Sequence, residues 1–251
     1  MITYFVPIYN EANKNFIIFL KILEKRIKIK NHHRYILVND GSTDDTQKLL
    51  KLFLNKNREF IKNNKVVIIK NDTNMGVGYS FRKALKVCKT KYIMPLPSDN
   101  DLPLVNPAFL QKNDVDYVIF FPLNAEKYSI ARYILSIVFR LIYCTIFNLR
   151  VIYIQGSFIA KKSVIKKIKL FSNRFTFWPE LNVKMLRSNI SFIEFPLIFR
   201  NKSVVDRTVS IQNLFEILKN LLMLILVIYV LDRRKYKKFA KKKYPKNFAI
   251  I

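Results

Sequence analysis

The most chemically suggestive part of the sequence is RYILVNDGSTDDT, residues 34–46. The apolar run at 35–38 is long enough for a buried strand, and the residues at 39–41 end it with turn chemistry. Residues 42–45 can then cap a helix. The pattern predicts a buried parallel strand that brings the carboxylate of Asp40 to the carboxyl edge of a sheet, where open α/β sheets bind ligands.

The strands and helices that would position Asp40 are predicted from apolar runs that alternate with helical patterns. We predict further strands over residues 2–6, 66–69, 92–96 and 115–121, and helices over 11–30, 46–54, 79–89 and 126–149. Strands that alternate with helices in this way are typical of an α/β fold with a parallel sheet. At 251 residues, the chain fits either one large domain or a domain plus an appendage.

Two motifs at successive strand-to-helix turns, VPIYNEA at 6–12 and VNDGSTDDT at 38–46, resemble the opening of family 2 glycosyltransferases. The resemblance implies the GT-A fold, a Rossmann-like mixed sheet flanked by helices. It also implies transfer of a sugar from a UDP- or GDP-linked donor, with inversion at the anomeric carbon. In this family, Asp40 would bind the nucleotide base, and Pro7, Tyr9 and Glu11 would line the nucleotide pocket.

The segment NMGVGYSFRKAL, residues 74–85, resembles the family element beside the donor diphosphate. Gly76 and Gly78 permit close backbone approach at a helix N-terminus, where anions are favoured. Arg82 lies one turn inside that helix and could pair with phosphate; an ordinary solvated charge is the alternative.

The family carries an Asp-x-Asp after the fourth strand that holds a divalent metal on the diphosphate. Here the loop reads PSDND, residues 97–101, with Asp99 and Asp101 as the acidic pair. Counted from the strand, the first aspartate of the motif falls on Pro97 and the second on Asp99. The resemblance therefore implies a metal-binding role for Asp99 in either register and for Asp101 only in a shifted one; a turn is the alternative role of this cluster, because Asn and Asp also favour turns. Hard carboxylate oxygens suit Mg²⁺ or Mn²⁺ beside a pyrophosphate leaving group.

The second half of the chain is similar to the branch that includes the dolichol- and polyprenyl-phosphate sugar transferases. The residues that carry this likeness are Gln155, Gly156, Glu180, Glu194, Pro196, Arg200 and Ser203. The aspartate usual before the glycine turn is absent, since Tyr153 and Ile154 stand there. The likeness implies a lipid phosphate acceptor.

Four side chains are candidates for the acceptor side of the reaction. Glu180 could act as a general base or line the acceptor site, although a phosphate acceptor scarcely needs a base. Arg132, on the long apolar helix, and Arg200 and Lys202, at the end of a strand, could bind the acceptor phosphate. Ordinary surface charges are the alternative for Arg200 and Lys202.

The formal charge of +28 points to anionic partners. Membrane lipid and a phosphorylated substrate fit this charge. Nucleic acid does not, because the sequence carries no zinc spacing, RNP motif or basic repeat interleaved with aromatic residues.

The most apolar window spans residues 209–231, and Glu216 and Lys219 interrupt its first half. Its uncharged stretch is shorter than the roughly 20 residues that a span needs. A basic tail follows, and a single span would export that tail against the positive-inside rule. We therefore predict a peripheral or monotopic protein on the cytoplasmic face of the cell membrane. The 126–149 helix is expected either to lie in the headgroup region or to pack against the domain.

The sequence thus predicts a glycosyltransferase domain over residues 1–205 and a membrane-associated apolar helix with a basic tail over 206–251. The first hypothesis is a metal-dependent enzyme that uses polyprenyl phosphate as acceptor. The alternatives are an enzyme that extends a surface polysaccharide or lipid-linked oligosaccharide, and a catalytically inactive membrane-binding scaffold. Pairing of the C-terminal helices into a homo-oligomer is left open.

Overall fold

The computed structural model describes residues 1–29, 33–98, 113–124, 130–198 and 211–244, with the backbone alone at 131, 132 and 211–213. Four predicted site residues, Asp99, Asp101, Arg200 and Lys202, lie outside the described residues. The side chain of Arg132 does so as well, although its backbone belongs to a helix.

The described strands form one eight-stranded mixed sheet in the order β3-β2-β1-β4-β6-β5-β7-β8. The strand bounds are β1 Ile2–Ile8, β2 Arg34–Asp40, β3 Val66–Asn71, β4 Tyr92–Pro95, β5 Tyr117–Pro122, β6 Phe158–Lys161, β7 Ser191–Leu197 and β8 Lys241–Lys242. β6 is antiparallel to both of its neighbours, and every other pairing is parallel. β1 to β4 therefore end at the same edge.

Helices connect the strands and cover both faces of the sheet. Their bounds are α1 Lys14–Ile27, α2 Thr46–Lys56, α3 Arg58–Lys62, α4 Val77–Val87, α5 Ile130–Ile146, α6 Lys162–Ile165, α7 Phe177–Leu186 and α8 Ile211–Leu226. A π-helical turn, Val227–Leu231, continues α8.

Two hydrophobic layers lie on opposite faces of the sheet because successive strand side chains alternate. In β2, Tyr35 and Leu37 join the layer that also contains Phe16 and Leu50, from α1 and α2. The intervening residues of β2 join the other layer, which is built from α4, α5, α7 and α8. We refer to these as the α1 side and the α8 side.

The predicted elements are present. Their observed ends differ from the predicted ends where local hydrogen bonds set the boundary. α1 begins at Lys14 rather than at residue 11, because the Oδ1 of Asn13 caps it by accepting from the N–H of Phe16 at 3.0 Å. β7 corresponds to the strand that was expected before Arg200 without predicted bounds, and two further strands were not predicted. β6 has only four residues and β8 only two, too few for a periodic signal.

Candidate active site

The carboxyl ends of β1 and β2 carry two loops that are hydrogen-bonded to each other. Asn10, at a φ of 51°, donates its backbone N–H to the Oγ of Ser42 at 3.0 Å, and its Oδ1 accepts from the N–H of Thr43 at 2.9 Å. The N–H of Glu11 donates to the Oγ1 of Thr46 at 2.7 Å. These bonds hold the predicted nucleotide-pocket segment, Pro7 to Glu11, beside the end of β2, with Tyr9 exposed.

Asp40 lies at the end of β2, as predicted, but its side chain is only 4% exposed. Oδ1 accepts from the Nδ2 of Asn71 at 2.6 Å and from the N–H of Met75 at 3.0 Å, and Oδ2 accepts from the N–H of Gly76 at 2.7 Å. Asp40 therefore fixes the turn that joins β3 to α4. Its predicted role toward a nucleotide base stays a prediction.

The turn before α4 approaches a second loop very closely. Gly76 has a φ of 90°, and a Cβ placed there would lie 2.4 Å from the backbone oxygen of Asn173. The same oxygen accepts from the N–H of Gly78 at 2.6 Å. The close backbone approach predicted for these glycines is thus made by the protein's own 171–174 loop.

We expect Gly76→Ala to lower the free energy of unfolding by about 1–3 kcal/mol, because an alanine is strained at this φ and its Cβ meets a backbone oxygen. Thermal unfolding of Gly76→Ala beside Met75→Ala, an exposed neighbour in the same turn, measures the difference. Equal midpoints for the two variants would show that the turn tolerates a side chain.

Arg82 also contacts the 171–174 loop. Its Nη1 donates to the backbone oxygen of Ser172 at 2.9 Å, and its Nη2 donates to the side-chain oxygen of Asn173. Burial lowers the pKa of the Arg82 guanidinium, while the negative charge of Glu180 acts in the opposite direction. The guanidinium is partly accessible and already holds this loop.

Glu180 is only 2% exposed and also bonds the 171–174 loop. Its carboxylate accepts from the N–H groups of Phe171 at 2.9 Å and Ser172 at 2.8 Å. It also pairs with Lys184 at 2.5 Å, and that ammonium donates to the backbone oxygen of Lys169 at 2.7 Å. Burial lowers the pKa of Lys184, and the charge of Glu180 opposes the shift. In this arrangement every bond of the Glu180 carboxylate is internal.

The predicted residues Asp40, Gly76, Arg82 and Glu180 therefore belong to one connected network around the 171–174 loop. Two asparagines that the sequence analysis missed, Asn71 and Asn173, complete it. Asn71 bonds Asp40, the Oγ of Ser80 at 3.0 Å and the Nζ of Lys83 at 2.8 Å. The sequence could have indicated Asn71, because it ends strand β3 in the same way that Asp40 ends strand β2.

The chain reaches the predicted metal ligands from the same edge of the sheet. The N–H of Leu96 donates to the backbone oxygen of Phe5 at 2.8 Å, so the chain leaves β4 beside β1, and it is described up to the buried Ser98. Among the described residues no cluster of three His, Cys, Asp or Glu side chains could hold a metal. Asp99 and Asp101 follow directly, and two carboxylates suit Mg²⁺ or Mn²⁺.

A cleft of about 190 Å³ opens at the carboxyl end of β5. Its lining combines apolar side chains with hydroxyl and guanidinium groups: Phe121, Pro122, Tyr133, Ser136, Ile137, Arg140, Ile152 and Tyr153. Arg140 donates to the backbone oxygen of Ile152 at 3.1 Å, which joins α5 to the segment before Gly156. Arg132 stands one helical turn before Ser136.

Comparison with known proteins places the chain among sugar-transferring enzymes. Residues 3–169 match the model of the family described as glycosyl transferase family 2. No curated protein matches the sequence.

Several solved structures are similar to this chain. Glucosyl-3-phosphoglycerate synthase from Mycobacterium tuberculosis, in complex with Mg²⁺ and UDP, is 12% identical with a TM-score of 0.57, over 90% of this chain and 78% of that one. The mannosyltransferase PcManGT from Pyrobaculum calidifontis, in complex with GDP-Man and Mn²⁺, is 14% identical with a TM-score of 0.55, over 82% and 57%. S. aureus TarS, residues 1–349, is 17% identical with a TM-score of 0.53, over 90% and 65%.

Proposed function

The chain belongs to glycosyl transferase family 2 and has the GT-A fold, and we propose that it transfers a sugar from a UDP- or GDP-linked donor to polyprenyl phosphate. The acceptor would lie in the cytoplasmic leaflet of the cell membrane. In this reaction an oxygen of the acceptor phosphate attacks the anomeric carbon as the bond to the nucleotide diphosphate breaks, and the configuration inverts.

On the donor side, we propose that the nucleotide lies over the joined ends of β1 and β2, lined by Pro7, Tyr9 and Glu11. Asp40 and Gly76 would shape the floor of this pocket, and Arg82 would lie near the diphosphate. Asp99 and Asp101 would hold Mg²⁺ or Mn²⁺. The bound metal supplies positive charge where negative charge develops on the leaving diphosphate.

The acceptor proposal rests on the cleft at the end of β5. A phosphate with a hydrocarbon tail needs a cationic group and apolar walls in one place, and Arg140, Ser136 and Ile137 provide them. The cleft borders α5, whose outer side chains are exposed and apolar. Arg132, Arg200 and Lys202 are proposed to add positive charge around the phosphate.

Such an acceptor is already anionic when it attacks, so the reaction makes little demand on a general base. The internal bonds of the Glu180 carboxylate agree with this chemistry. We therefore propose that Glu180 supports the loop beside the donor site.

The direct test is turnover by the full chain in detergent, with Mn²⁺ or Mg²⁺, polyprenyl phosphate and a panel of UDP- and GDP-sugars. We expect nucleoside diphosphate and a sugar-bearing lipid in equal amounts. Turnover only with a lipid-linked saccharide as acceptor would instead support the polysaccharide-extending alternative. The absence of the usual aspartate, where Tyr153 and Ile154 stand, favours that alternative. No turnover with any donor, alongside intact membrane binding, would favour the inactive scaffold.

The acceptor cleft has its own test. We expect Arg140→Gln to raise the KM for polyprenyl phosphate by about tenfold or more, because a charge-assisted bond to phosphate is lost. The donor KM should stay unchanged. Arg58→Gln removes an exposed arginine of α3 that bonds Asn55, and it is the matched control. An unchanged acceptor KM in Arg140→Gln would place the acceptor elsewhere.

We retain as a proposal the division into a glycosyltransferase domain, residues 1–205, and a C-terminal appendage, residues 206–251. The described residues of the appendage pack on the domain, because Leu224, Ile228 and Tyr236 lie in the α8-side layer.

A further inference from the structure

Helix α8 and the π-helical turn that continues it carry apolar side chains on their outer side as well as on the side that packs on the domain. Among the described side chains Phe215 is 74% exposed, and the large exposed apolar residues recur at helical spacing: Leu214, Phe215, Leu218, Leu222, Met223, Leu226, Tyr229, Val230 and Leu231. Leu224 and Ile228 are buried against the domain, and Glu216 and Asn220 also face it, where both bond the Oγ1 of Thr176. A helix at a water-facing surface carries mainly polar side chains on its outer side, whereas here Lys219 is the exposed charge within an apolar surface.

Helix α5 also exposes apolar side chains, on the same side of the sheet. Among its described side chains the large exposed ones are apolar: Ile130, Tyr133, Ile134, Leu135, Val138, Leu141 and Ile142. The C-terminal ends of the two helices meet, because the hydroxyl of Tyr229 donates to the backbone oxygen of Ile146 and the rings of Tyr229 and Phe147 stack at 6.2 Å. We call the outward faces of α5 and α8 the paired apolar face, and exposed apolar side chains grouped in this way mark a site of interaction with a protein or a membrane.

The length and composition of α8 would allow it to cross a membrane, since the window Leu214–Leu231 has a mean hydropathy of 2.3. Its contacts, however, hold its middle and the segment that follows it to the domain. In the middle, the Nδ2 of Asn220 donates to the Oγ1 of Thr176 at 2.7 Å. Beyond the C-terminal end, the Nζ of Lys235 donates to the backbone oxygen of Lys167 at 2.7 Å. These contacts favour a helix that lies along the domain over one that carries its C-terminal end across a bilayer.

The segment after α8 also stays with the domain and is strongly basic. Tyr236 is fully buried, and the N–H of Ala240 donates to the backbone oxygen of Leu186 at 2.8 Å, which leads into β8 on the edge of the sheet. Exposed cations follow the apolar face directly: Arg233, Arg234, Lys237 and Lys238. Anionic lipid headgroups are the natural partner of cations at the border of an apolar surface.

We propose that the paired apolar face is a membrane-docking surface that lies in the plane of a bilayer containing anionic lipid, with residues 233–238 on the headgroups. A second copy of the chain is disfavoured as the occupant of this face, because it would bring together two molecules of charge +28. The docking surface deepens the proposed function by seating the acceptor cleft at the bilayer. Its test does not depend on turnover, so the two proposals can fail separately.

Flotation of the full chain with vesicles of phosphatidylcholine, with and without phosphatidylserine, tests the surface. We expect Leu222→Glu to weaken binding about tenfold or more, because a charge replaces an immersed leucine. Leu52→Glu makes the same change at an exposed leucine of α2, on the opposite side of the sheet, and should bind like the original protein. Equal binding by both variants would overturn the proposal, as would a lack of preference for phosphatidylserine.

Oligomeric state in solution tests the competing occupant. If a second copy covered the face, Leu222→Glu would convert a dimer to a monomer and leave vesicle binding unchanged. We expect vesicle binding to be the property that changes.

The in-plane orientation is tested with Lys238→Cys on vesicles to which protein is added from outside. A membrane-impermeant thiol reagent should label this cysteine beyond the background of Cys88 and Cys144. Labelling only after the vesicles are opened would show that α8 crosses the bilayer, and would overturn the orientation.

Discussion

Replacing Glu180 by alanine is expected to lower the free energy of unfolding by about 3–5 kcal/mol, because it leaves the ammonium of Lys184 buried without its partner. It also removes the acceptor for the N–H groups of Phe171 and Ser172. For a domain of this size, the loss corresponds to a fall of the thermal midpoint on the order of 10 °C. Thermal and denaturant unfolding measure it.

The matched control is Glu24→Ala. Glu24 pairs with Lys28 at the same helical spacing and at 3.0 Å, but on the surface of α1, so we expect little change in the midpoint. The double variant Glu180→Gln, Lys184→Met removes both buried charges together and should recover most of the stability. Equal losses in Glu24→Ala and Glu180→Ala would contradict the role of the buried pair.

The double variant also distinguishes a supporting role of Glu180 from a catalytic one. If Glu180 only holds the loop, the double variant should keep most of its turnover of polyprenyl phosphate. If Glu180 removes a proton from the acceptor, turnover should fall by about 10²–10⁴-fold while stability stays near that of the original chain. We expect the first result, because the carboxylate is committed to internal bonds and the proposed acceptor is already an anion.

Replacing Asp99 by asparagine is expected to reduce kcat by about a thousandfold or more, because a metal that neutralises the leaving diphosphate contributes several kcal/mol to the transition state. The stability of the chain should change little, since the change removes one charge without altering the shape of the side chain. Turnover at saturating donor, together with titration of Mn²⁺ in the presence of UDP or GDP, provides the measurement.

Asp101→Asn is the informative comparison. If Asp99 alone is the family's second aspartate, Asp101→Asn should retain most activity; if the loop is shifted, the two variants should be equally impaired. Full activity of Asp99→Asn at ordinary metal concentration would exclude both registers and remove the metal from the proposal.

The sequence by itself determined the framework of the donor site. The strands that end at Ile8, Asp40 and Asn71 were predictable because a buried parallel strand has a continuous apolar run and because turn residues mark its end. The position of Asp40 at the carboxyl edge follows from those local signals alone. The long apolar character of α5 and α8 was likewise visible as composition.

The tertiary structure decided what those residues touch. Gly76 and Asn173 are far apart in the sequence, and no local pattern predicts that the backbone of one closes on the other. The same holds for Glu180, whose acidic character suggested chemistry and whose position against Lys184 and the 171–174 loop gives it a supporting role. The side on which α8 packs is also a tertiary result. Its composition is apolar over most of its circumference, and only the packing of Leu224 and the bond of Asn220 to the domain decide which apolar side chains are buried and which are left for a membrane.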